Sequence, residues 1–195
     1  MISKEDEHQM NLLLAKAFQI ASKSEIEDVS FHPPVLAENT KSSRDTSKQY
    51  LRSVIAHWLP RFQEKQITLS LETHVTPQYF IFTGLQDYTQ FVSEFMELGV
   101  LIDFSHNFYD GYSVNEILSS LSGYKITGLH LSDAIVDAKL EEGLHLPVGA
   151  GNVDFKQIIR YFKEESNCYA ALEIHGTSED IRKSIKIIEG LMMEV

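Results

Sequence analysis

Four stretches of this sequence share one pattern, a short apolar run that ends in a histidine or a carboxylate. The clearest is ITGLHLSD at 126–133, which ends in His130 and Asp133. The others are TLSLETH at 68–74, VLIDFSH at 100–106 and YAALEIH at 169–175. Short apolar runs are typical of buried strands. The pattern therefore predicts four strands that carry potential metal ligands to a shared site.

The size and composition predict one globular domain, 1–195. The chain is 43% hydrophobic and 23% charged, which suits a globular protein with a substantial core. Its longest apolar run is well below the roughly 20 residues that span a bilayer, and MISKEDEHQM at the start does not resemble a signal peptide. Cys168 is the only cysteine, so no internal disulfide can form. We therefore expect a cytoplasmic protein without a membrane partner.

The formal net charge of −11 bears on the partners of the chain. Contacts with phosphates dominate the affinity of proteins for nucleic acids, and an acidic protein repels them. Because the sequence also has no cluster of Lys and Arg, we expect no nucleic-acid partner. The acidic balance suits a protein that concentrates cations, although most acidic proteins simply have solvated acidic faces.

Hydrophobic periodicity predicts helices that alternate with strands. The predicted helices cover residues 5–23, 45–64, 85–98, 114–121, 155–163 and 178–193. The predicted strands cover residues 28–31, 67–73, 100–104, 126–131 and 169–174. A helix followed by five βα units predicts an α/β fold with a parallel sheet and right-handed crossovers. The connection at 133–154 exceeds the usual 12–15 residues or so, which favours a functional loop.

Several local features refine this prediction. Gly99 lies where a left-handed cap would end the helix at 85–98, and residues 107–112 read as a loop. Met96 is expected on the inner face of that helix. Ser178 is expected to cap the last helix. The buried stripe of the last helix is expected to contain Ile181, Ile185, Ile188 and either Leu191 or Met192.

Histidines and carboxylates gather where the predicted strands end. Five histidines fall within a few residues of such an end, namely His32, His74, His106, His130 and His175, and His145 lies in the long connection. Parallel βα folds place their active sites at the carboxyl ends of the strands. Glu72, Asp103 and Glu173 lie near the ends of apolar strands, where a carboxylate is costly unless it is paired or bound to a cation.

The three carboxylates and His130 together form a mixed set of ligands. Three oxygen ligands and one nitrogen ligand suit Mn²⁺, Zn²⁺, Co²⁺ or Mg²⁺, and the sequence does not choose among them. Any one of these residues alone would more simply be exposed or salt-bridged. The joint pattern at one end of four strands favours a divalent metal site.

The sequence resembles the xylose-isomerase-like TIM-barrel superfamily, which includes sugar-phosphate isomerases and epimerases and abasic-site nucleases of the endonuclease IV type. The resemblance rests on six motifs in the superfamily's order, SFHPP at 30–34, LETH at 71–74, DFSH at 103–106, HLSD at 130–133, HLPVGAGNVDF at 145–155 and LEIHG at 172–176. It implies that Glu72, Asp103, His130 and Glu173 bind the metal. It also implies that His32, His106 and His145 contact substrate or additional metals.

The chemistry implied by this resemblance is a proton transfer next to a metal-bound carbonyl. Glu72 and Glu173 would flank the substrate, one removing a proton and the other returning one, while the metal stabilises an enediolate. We therefore predict a metal-dependent isomerase or epimerase of a sugar, a sugar phosphate or a related small polyol. The GAGN turn at 149–152 could present amides to a phosphate, but Asp154 favours a plain loop-to-helix turn.

Two other functions stay open at this point. One is a degenerate metal- or sugar-binding domain that has lost catalysis. The other is abasic-site hydrolysis, which Gly143 disfavours because the multi-zinc nucleases have an aspartate at the matching position, as does the acidity of the chain.

The length of the chain departs from the superfamily. A complete (β/α)₈ barrel takes about 250 residues, and the motifs here match only its last five strands. The fold is therefore predicted to be TIM-barrel-like but incomplete. Such a sheet would have two exposed edges. The chain could be a fragment or the product of a late start codon, it could complete its wall in a homodimer, or it could be a naturally reduced protein.

Overall fold

The structure is a computed structural model and describes residues 4–36, 38–76, 80–164 and 167–195, with side chains from residue 9 onward. The helices are α1 (Lys4–Ala21), α2 (Lys41–Glu64), α3 (Leu85–Val92), α4 (Phe104–Tyr109), α5 (Val114–Ser120), α6 (Leu140–Gly143), α7 (Phe155–Glu164) and α8 (Ser178–Glu194). The strands are β1 (Asp28–Phe31), β2 (Thr68–Glu72), β3 (Gly99–Asp103), β4 (Lys125–Leu131) and β5 (Tyr169–Leu172). The predicted alternation of strands and helices is confirmed. None of the described helices combines the length and apolarity needed to cross a membrane.

The chain divides into two compact units, Met1–Val100 and Leu101–Val195. In the first unit, β1 and β2 pair in parallel with Asp28 opposite Thr68. In the second unit, β4 and β5 pair in parallel with Gly128 opposite Tyr169. The strands follow the order of the chain, β1-β2-β3-β4-β5. Parallel pairing of sequential strands confirms the predicted type of sheet, and the single domain 1–195 stays a prediction.

Helix α2 begins four residues before its predicted start at 45. Thr40 caps it, because its side chain accepts a hydrogen bond from the amide of Ser43 at 3.1 Å. The buried positions of α2 recur at helical spacing and are Ser43, Ser47, Leu51, Val54, Ile55, Trp58, Leu59 and Phe62. Phe18 of α1 packs against this face, with its ring 5.2 Å from that of Phe62. The apolar spacing of both helices thus forms the core of the first unit.

Helix α3 is shorter than predicted, and this overturns two local expectations. It ends at Val92 and continues as successive tight turns, in which the amides of Phe95 and Leu98 donate to carbonyls three residues earlier. Met96, expected to face inward, is 90% exposed because the turns carry it away from the helical face. Gly99 was expected to be a left-handed cap, but it has no positive φ and instead begins β3 as a buried residue.

Helix α4 covers the predicted strand end at Phe104 and the first half of the loop predicted at 107–112, whereas residues 110–112 do lie outside helices and strands. Asp103, the last residue of β3, caps it by accepting a hydrogen bond from the amide of His106 at 2.9 Å. A carboxylate at this position satisfies amides that have no partner within the helix. The chain therefore turns into a helix directly at Phe104.

Helix α8 presents its face differently from the prediction. Thr177, rather than Ser178, caps it in a capping box with Asp180. The buried residue of α8 is Ser184, whose hydroxyl accepts from the amide of Val148 at 3.0 Å and donates to the carbonyl of Asp180. The predicted buried stripe is wrong at Ile181 and Ile185, which are 41% and 42% exposed, whereas Ile188, Leu191 and Met192 are half-buried. The small polar residue Ser184 is thus the buried contact of α8, and Ile181 and Ile185 face outward.

Candidate active site

Three predicted ligands meet at the carboxyl ends of β3, β4 and β5. Asp103 is the last residue of β3 and is fully buried, His130 lies one residue before the end of β4, and Glu173 follows β5. The Nδ1 atom of His130 lies 2.5 Å from Oε2 of Glu173 and 3.8 Å from Oδ2 of Asp103. The three offer ligand atoms that all lie within 4.8 Å of one another. Within the second unit, the structure brings together the ligands that the sequence predicts.

This donor set fits a divalent cation. Donor atoms bound at about 2.0–2.2 Å from one metal lie roughly 3–4 Å apart, and the three ligand atoms already approach that spacing. One imidazole nitrogen among carboxylate oxygens suits Zn²⁺, Mn²⁺ or Co²⁺. A cation would also offset the cost of burying the Asp103 carboxylate.

Asp103 combines two tasks through its two oxygens. Its Oδ1 accepts hydrogen bonds from the hydroxyl of Ser105 at 2.8 Å and from the amide of His106 at 2.9 Å. Its Oδ2 faces Nδ1 of His106 and Nδ1 of His130, each at 3.8 Å. The contacts to Oδ1 fix the carboxylate, so that Oδ2 is directed toward the other ligands.

A cluster of histidine rings lies beside these ligands in the second unit. Nε2 of His106 lies 3.1 Å from Nε2 of His145, and the ring of His175 lies 4.8 Å from that of His145. Asp103, His106 and His145 form a second group with ligand atoms within 4.8 Å of one another. Burial lowers the pKa of His145 below its ordinary value; the Asp103 carboxylate opposes this shift, and His106 adds to it. The His145 imidazole is therefore neutral at neutral pH.

In the first unit, the structure places Glu72 beside His32. Glu72 ends β2 and is 1% exposed, and its Oε2 lies 2.9 Å from Nε2 of His32. The ring of His74 packs edge to face on that of His32 and stacks on Phe80 at 3.8 Å. The His74 ring thus packs against His32, whose side chain stays 54% exposed. That Glu72 joins the ligands of the second unit stays a prediction.

Asp133 has a role that the sequence did not indicate. The motif ITGLHLSD suggested a metal-binding residue type, but Asp133 is buried and accepts backbone hydrogen bonds within the connection at 133–154. Its Oδ1 accepts from the amides of Ala134 and Val153, and its Oδ2 accepts from Gly149, each at 2.9 Å. The only sequence signal for this role was the set of glycines in the connection, which permits the chain to fold closely around a side chain.

The GAGN turn at 149–152 uses its amides internally. The amide of Ala150 donates to Pro147, and that of Asn152 donates to Ala134. Asp154 then accepts from the amide of Gln157 at 3.2 Å at the start of α7. These contacts agree with the expectation of a plain loop-to-helix turn.

The sequence matches the family described as xylose isomerase-like TIM barrel over residues 2–191. The chain belongs to this family, and the predicted resemblance and fold class are confirmed: it is a TIM-barrel-like α/β fold with five parallel strands, an incomplete version of the eight-stranded barrel. No curated protein matches the sequence.

Solved structures share the fold at low sequence identity. A D-tagatose 3-epimerase-like protein is 18% identical, with a TM-score of 0.83 over 100% of this chain and 73% of that one. The IolI protein with a binding zinc atom is 14% identical, with a TM-score of 0.75 over 100% of this chain and 71% of that one. A D-psicose 3-epimerase, in the presence of D-fructose, is 9% identical, with a TM-score of 0.74 over 98% of this chain and 73% of that one. At such identities the likeness establishes the fold and leaves function to the site.

Proposed function

We propose that this protein is a metal-dependent isomerase or epimerase that acts on a sugar or a related small polyol. The observation that carries the proposal is the meeting of Asp103, His130 and Glu173 at the ends of three consecutive strands. The fold shared with a D-tagatose 3-epimerase-like protein and a D-psicose 3-epimerase supports a sugar as the substrate. The zinc atom in the IolI structure supports a divalent cation.

Asp103, His130 and Glu173 would hold the metal, and we propose Glu72 as the fourth ligand. The metal would be Mn²⁺, Zn²⁺, Co²⁺ or Mg²⁺, since mixed oxygen and nitrogen ligands accept each of them. When bound, the cation supplies electrophilic polarisation of a carbonyl group. Glu72 is 1% exposed in the first unit, and its Oε2 lies 2.9 Å from Nε2 of His32.

Glu72 and Glu173 would move the protons. One carboxylate removes the proton from the carbon next to the carbonyl, and the other, as a carboxylic acid, returns a proton. Return to the opposite face of the same carbon gives an epimer, and return to the neighbouring carbon gives an isomer. The Glu173 side chain is 38% exposed, which leaves it accessible to a substrate.

His32, His106 and His145 would bind the hydroxyl groups of the substrate. A neutral imidazole offers one donor and one acceptor, which matches a hydroxyl group that also donates and accepts. The lowered pKa of His145 supports this role, because it keeps the ring neutral at neutral pH. His106 is buried against Asp103 and would orient the substrate close to the metal.

The second unit favours an unphosphorylated substrate. Helix N-termini are common phosphate sites, but four of them here already bind carboxylates of the chain. Asp103 accepts from His106 in α4, and Glu116 accepts from the amide of Ser113 at 2.8 Å at α5. The starts of α7 and α8 are occupied in the same way, by Asp154 and Asp180. A phosphate at any of these positions would meet a negative charge.

The test is turnover of ketohexoses by the protein loaded in turn with Mn²⁺, Co²⁺, Zn²⁺ and Mg²⁺. Glu173→Gln should lower kcat by about 10²–10⁴-fold, the usual contribution of a general acid or base. Glu164→Gln is the matched control, because Glu164 is an exposed carboxylate at the end of α7. Full turnover by Glu173→Gln with metal bound would refute the assignment. Metal and sugar binding without turnover in the unmodified protein would favour the non-catalytic binding domain instead.

A further inference from the structure

We propose that Asp133 is a positioning residue that sets the place of His145 in the site. The effect of Asp133 on turnover rests on the proposed function, whereas its effect on the position of His145 does not. Asp133 is 1% exposed and lies three residues after His130, at the point where the chain leaves β4. Its carboxylate accepts hydrogen bonds from amides of the connection that carries His145.

The carboxylate of Asp133 links the start of this connection to two positions near its end. It accepts hydrogen bonds from the amides of Ala134, Gly149 and Val153, each at 2.9 Å. The amide of Val153 is buried, and the carboxylate supplies an acceptor that this amide would otherwise lack inside the fold. Hydrogen bonds to an ionised acceptor are also stronger than those to a neutral one.

The backbone of Asp133 is hydrogen-bonded to Leu146, the residue that follows His145. Its amide donates to the carbonyl of Leu146 at 2.8 Å, and the amide of Leu146 donates back at 2.9 Å. The pair forms an antiparallel bridge. Because Leu146 directly follows His145 in the chain, the bridge to Asp133 also fixes the backbone position of His145.

His145 adopts a backbone conformation that needs such support. Its φ of 52° lies in the left-handed region, which is uncommon for residues other than glycine. Strained conformations of this kind persist when the surrounding contacts fix them. The bridge at Leu146 holds one side, and the amide of His175 holds the other by donating to the carbonyl of His145 at 2.7 Å.

The close packing of Gly151 makes the arrangement specific. A Cβ atom at Gly151 would lie 2.4 Å from the carbonyl oxygen of Ala134 and 2.5 Å from Oδ1 of Asp133. The backbone at 151 thus lies directly against the carboxylate, and the loop has little room to shift around it.

The outcome is the placement of the His145 ring. Its Nε2 lies 3.1 Å from Nε2 of His106, and its Nδ1 lies 3.2 Å from the carbonyl oxygen of Glu173. These contacts place the His145 ring between His106, a predicted substrate-binding residue, and Glu173, a predicted metal ligand just after β5. A loss of the Asp133 carboxylate would release the loop and, with it, this ring.

The experiment compares Asp133→Asn with Asp154→Asn in the full chain. Asp133→Asn keeps the size of the side chain but turns one acceptor into an NH₂ donor that faces amide donors. Asp154 is the matched control, because its carboxylate lies at the end of the same connection and accepts from the amide of Gln157. The readouts are the imidazole ¹⁵N signals of His145, the Zn²⁺ affinity, and kcat and KM for the ketohexose that the metal-loaded protein converts.

Asp133→Asn should shift or broaden the His145 signals and raise KM about tenfold, while kcat and Zn²⁺ affinity change less than about threefold. Asp154→Asn should leave all four quantities unchanged. In an His145→Asn background, Asp133→Asn should have no further effect on KM, since the two residues act as one unit. The proposal would be overturned if Asp133→Asn left the His145 signals unchanged. It would also be overturned if this variant lost Zn²⁺ affinity by as large a factor as KM rises.

If Asp133→Asn folds poorly, a second variant tests the same proposal. Asp133→Ala leaves a space that formate can fill, and formate should restore the His145 signals by supplying the missing carboxylate. In the unmodified protein, the amides of Gly149 and Val153 should exchange slowly with solvent; fast exchange of both would contradict the proposal without any variant. If the unmodified protein converts no sugar, the proposed function fails, and the NMR result still decides the role of Asp133.

Discussion

The Nδ1 atom of His130 lies 2.5 Å from Oε2 of Glu173, although 43 residues separate the two in the sequence. The strand register explains the meeting. His130 of β4 lies opposite Ala171 of β5, and Glu173 follows two residues later, on the same side of the sheet as Ala171. A slip of one residue in this pairing would turn Glu173 away, so the register of β5 is a condition for the site.

Asp103→Asn should separate the two tasks of Asp103. Asparagine caps helices about as well as aspartate, so α4 should form and the free energy of unfolding should change by less than about 1 kcal/mol. The NH₂ group would replace the oxygen that faces His130, and Zn²⁺ or Mn²⁺ affinity should fall more than about 100-fold. Titration calorimetry measures this, with Glu116→Gln as a control for a capping carboxylate outside the site. Equal affinities for Asp103→Asn and the unmodified protein would remove Asp103 from the ligands.

Gly151→Ala should destabilise the second unit by more than about 1–3 kcal/mol, the usual cost of an extra methyl group in a packed interior. The added Cβ would meet the backbone oxygen of Ala134 at 2.4 Å, and a backbone atom cannot move aside cheaply. Gly190→Ala is the matched control. It lies in α8 with no atom within 4 Å of the added Cβ, so it should stabilise by about 0.5–1 kcal/mol. Denaturant unfolding of both variants checks the pair, and equal stabilities would contradict the close packing at Gly151.

Gly128 of β4 should be sensitive to substitution through one aromatic neighbour. A Cβ atom there would lie 2.5 Å from Cζ of Tyr169 and 2.8 Å from Cδ1 of Leu101. Gly128→Ala should cost about 1–3 kcal/mol. Tyr169 is 41% exposed, so Tyr169→Ala in the same protein should recover the part of that cost that the ring contact causes, whereas the contact with the buried Leu101 remains. A thermal unfolding cycle of the two single variants and the double variant measures the coupling, and additive effects would rule out the ring contact.

The ion pair between Lys48 and Asp87 should make the first unit sensitive to acid. Burial raises the pKa of Asp87, but the hydrogen bonds from the Lys48 ammonium, at 2.5 and 2.7 Å, and from Thr83 outweigh it and lower the pKa below 3.8. A carboxyl group with a lowered pKa stabilises the fold above its unfolded pKa, and this stability is lost as the pH falls through the folded pKa.

Unfolding measured from pH 7 down to pH 2 in the unmodified protein and in Asp87→Asn tests this expectation. The unmodified protein should be more stable above about pH 4 by roughly 1–3 kcal/mol, and the two curves should converge at lower pH. Glu97→Gln removes an exposed carboxylate of the same unit and should leave the curve unchanged. A constant difference at all pH values would show that charge on Asp87 is not the cause.

The sequence predicted the strands and the ligands for the same reason. Short apolar runs that alternate with helical patterns favour strands, and parallel strands bring their carboxyl ends to one edge. Asp103, His130 and Glu173 could therefore be expected together before any coordinates. The cytoplasmic location, the homodimer and the lack of a nucleic-acid partner stay predictions, because none of them follows from the fold.

Residues with two uses or with a purely local use were harder to predict. Asp103 both ends a strand and caps a helix, and the cap explains why the first half of the loop predicted at 107–112 is helical. Asp133 looked like a ligand because it follows His130, but its partners are backbone amides, whose positions depend on the folded connection. Ile181 and Ile185 fit a buried stripe by spacing alone, whereas the buried residue of α8 is Ser184, which is held by hydrogen bonds that spacing does not predict.

The carboxylates at the helix starts should make the protein discriminate against phosphorylated sugars. At pH 7.5, D-fructose 6-phosphate should bind the metal-loaded protein at least about tenfold more weakly than D-fructose, because its phosphate would meet the negative charge of Asp103, Glu116, Asp154 or Asp180 at a helix start. The sole cation in the connections after β3, β4 and β5 is Lys139, which is 84% exposed and pairs with Glu142.

Calorimetry with both sugars measures this difference, with inorganic phosphate as the reference for an anion alone. Added salt should reduce the difference in affinity between the two sugars, since screening weakens repulsion between charges. Tighter binding of the phosphorylated sugar, independent of inorganic phosphate, would show that the substrate is a sugar phosphate and that its anion is held elsewhere. Binding of neither sugar would instead count against the proposed function itself.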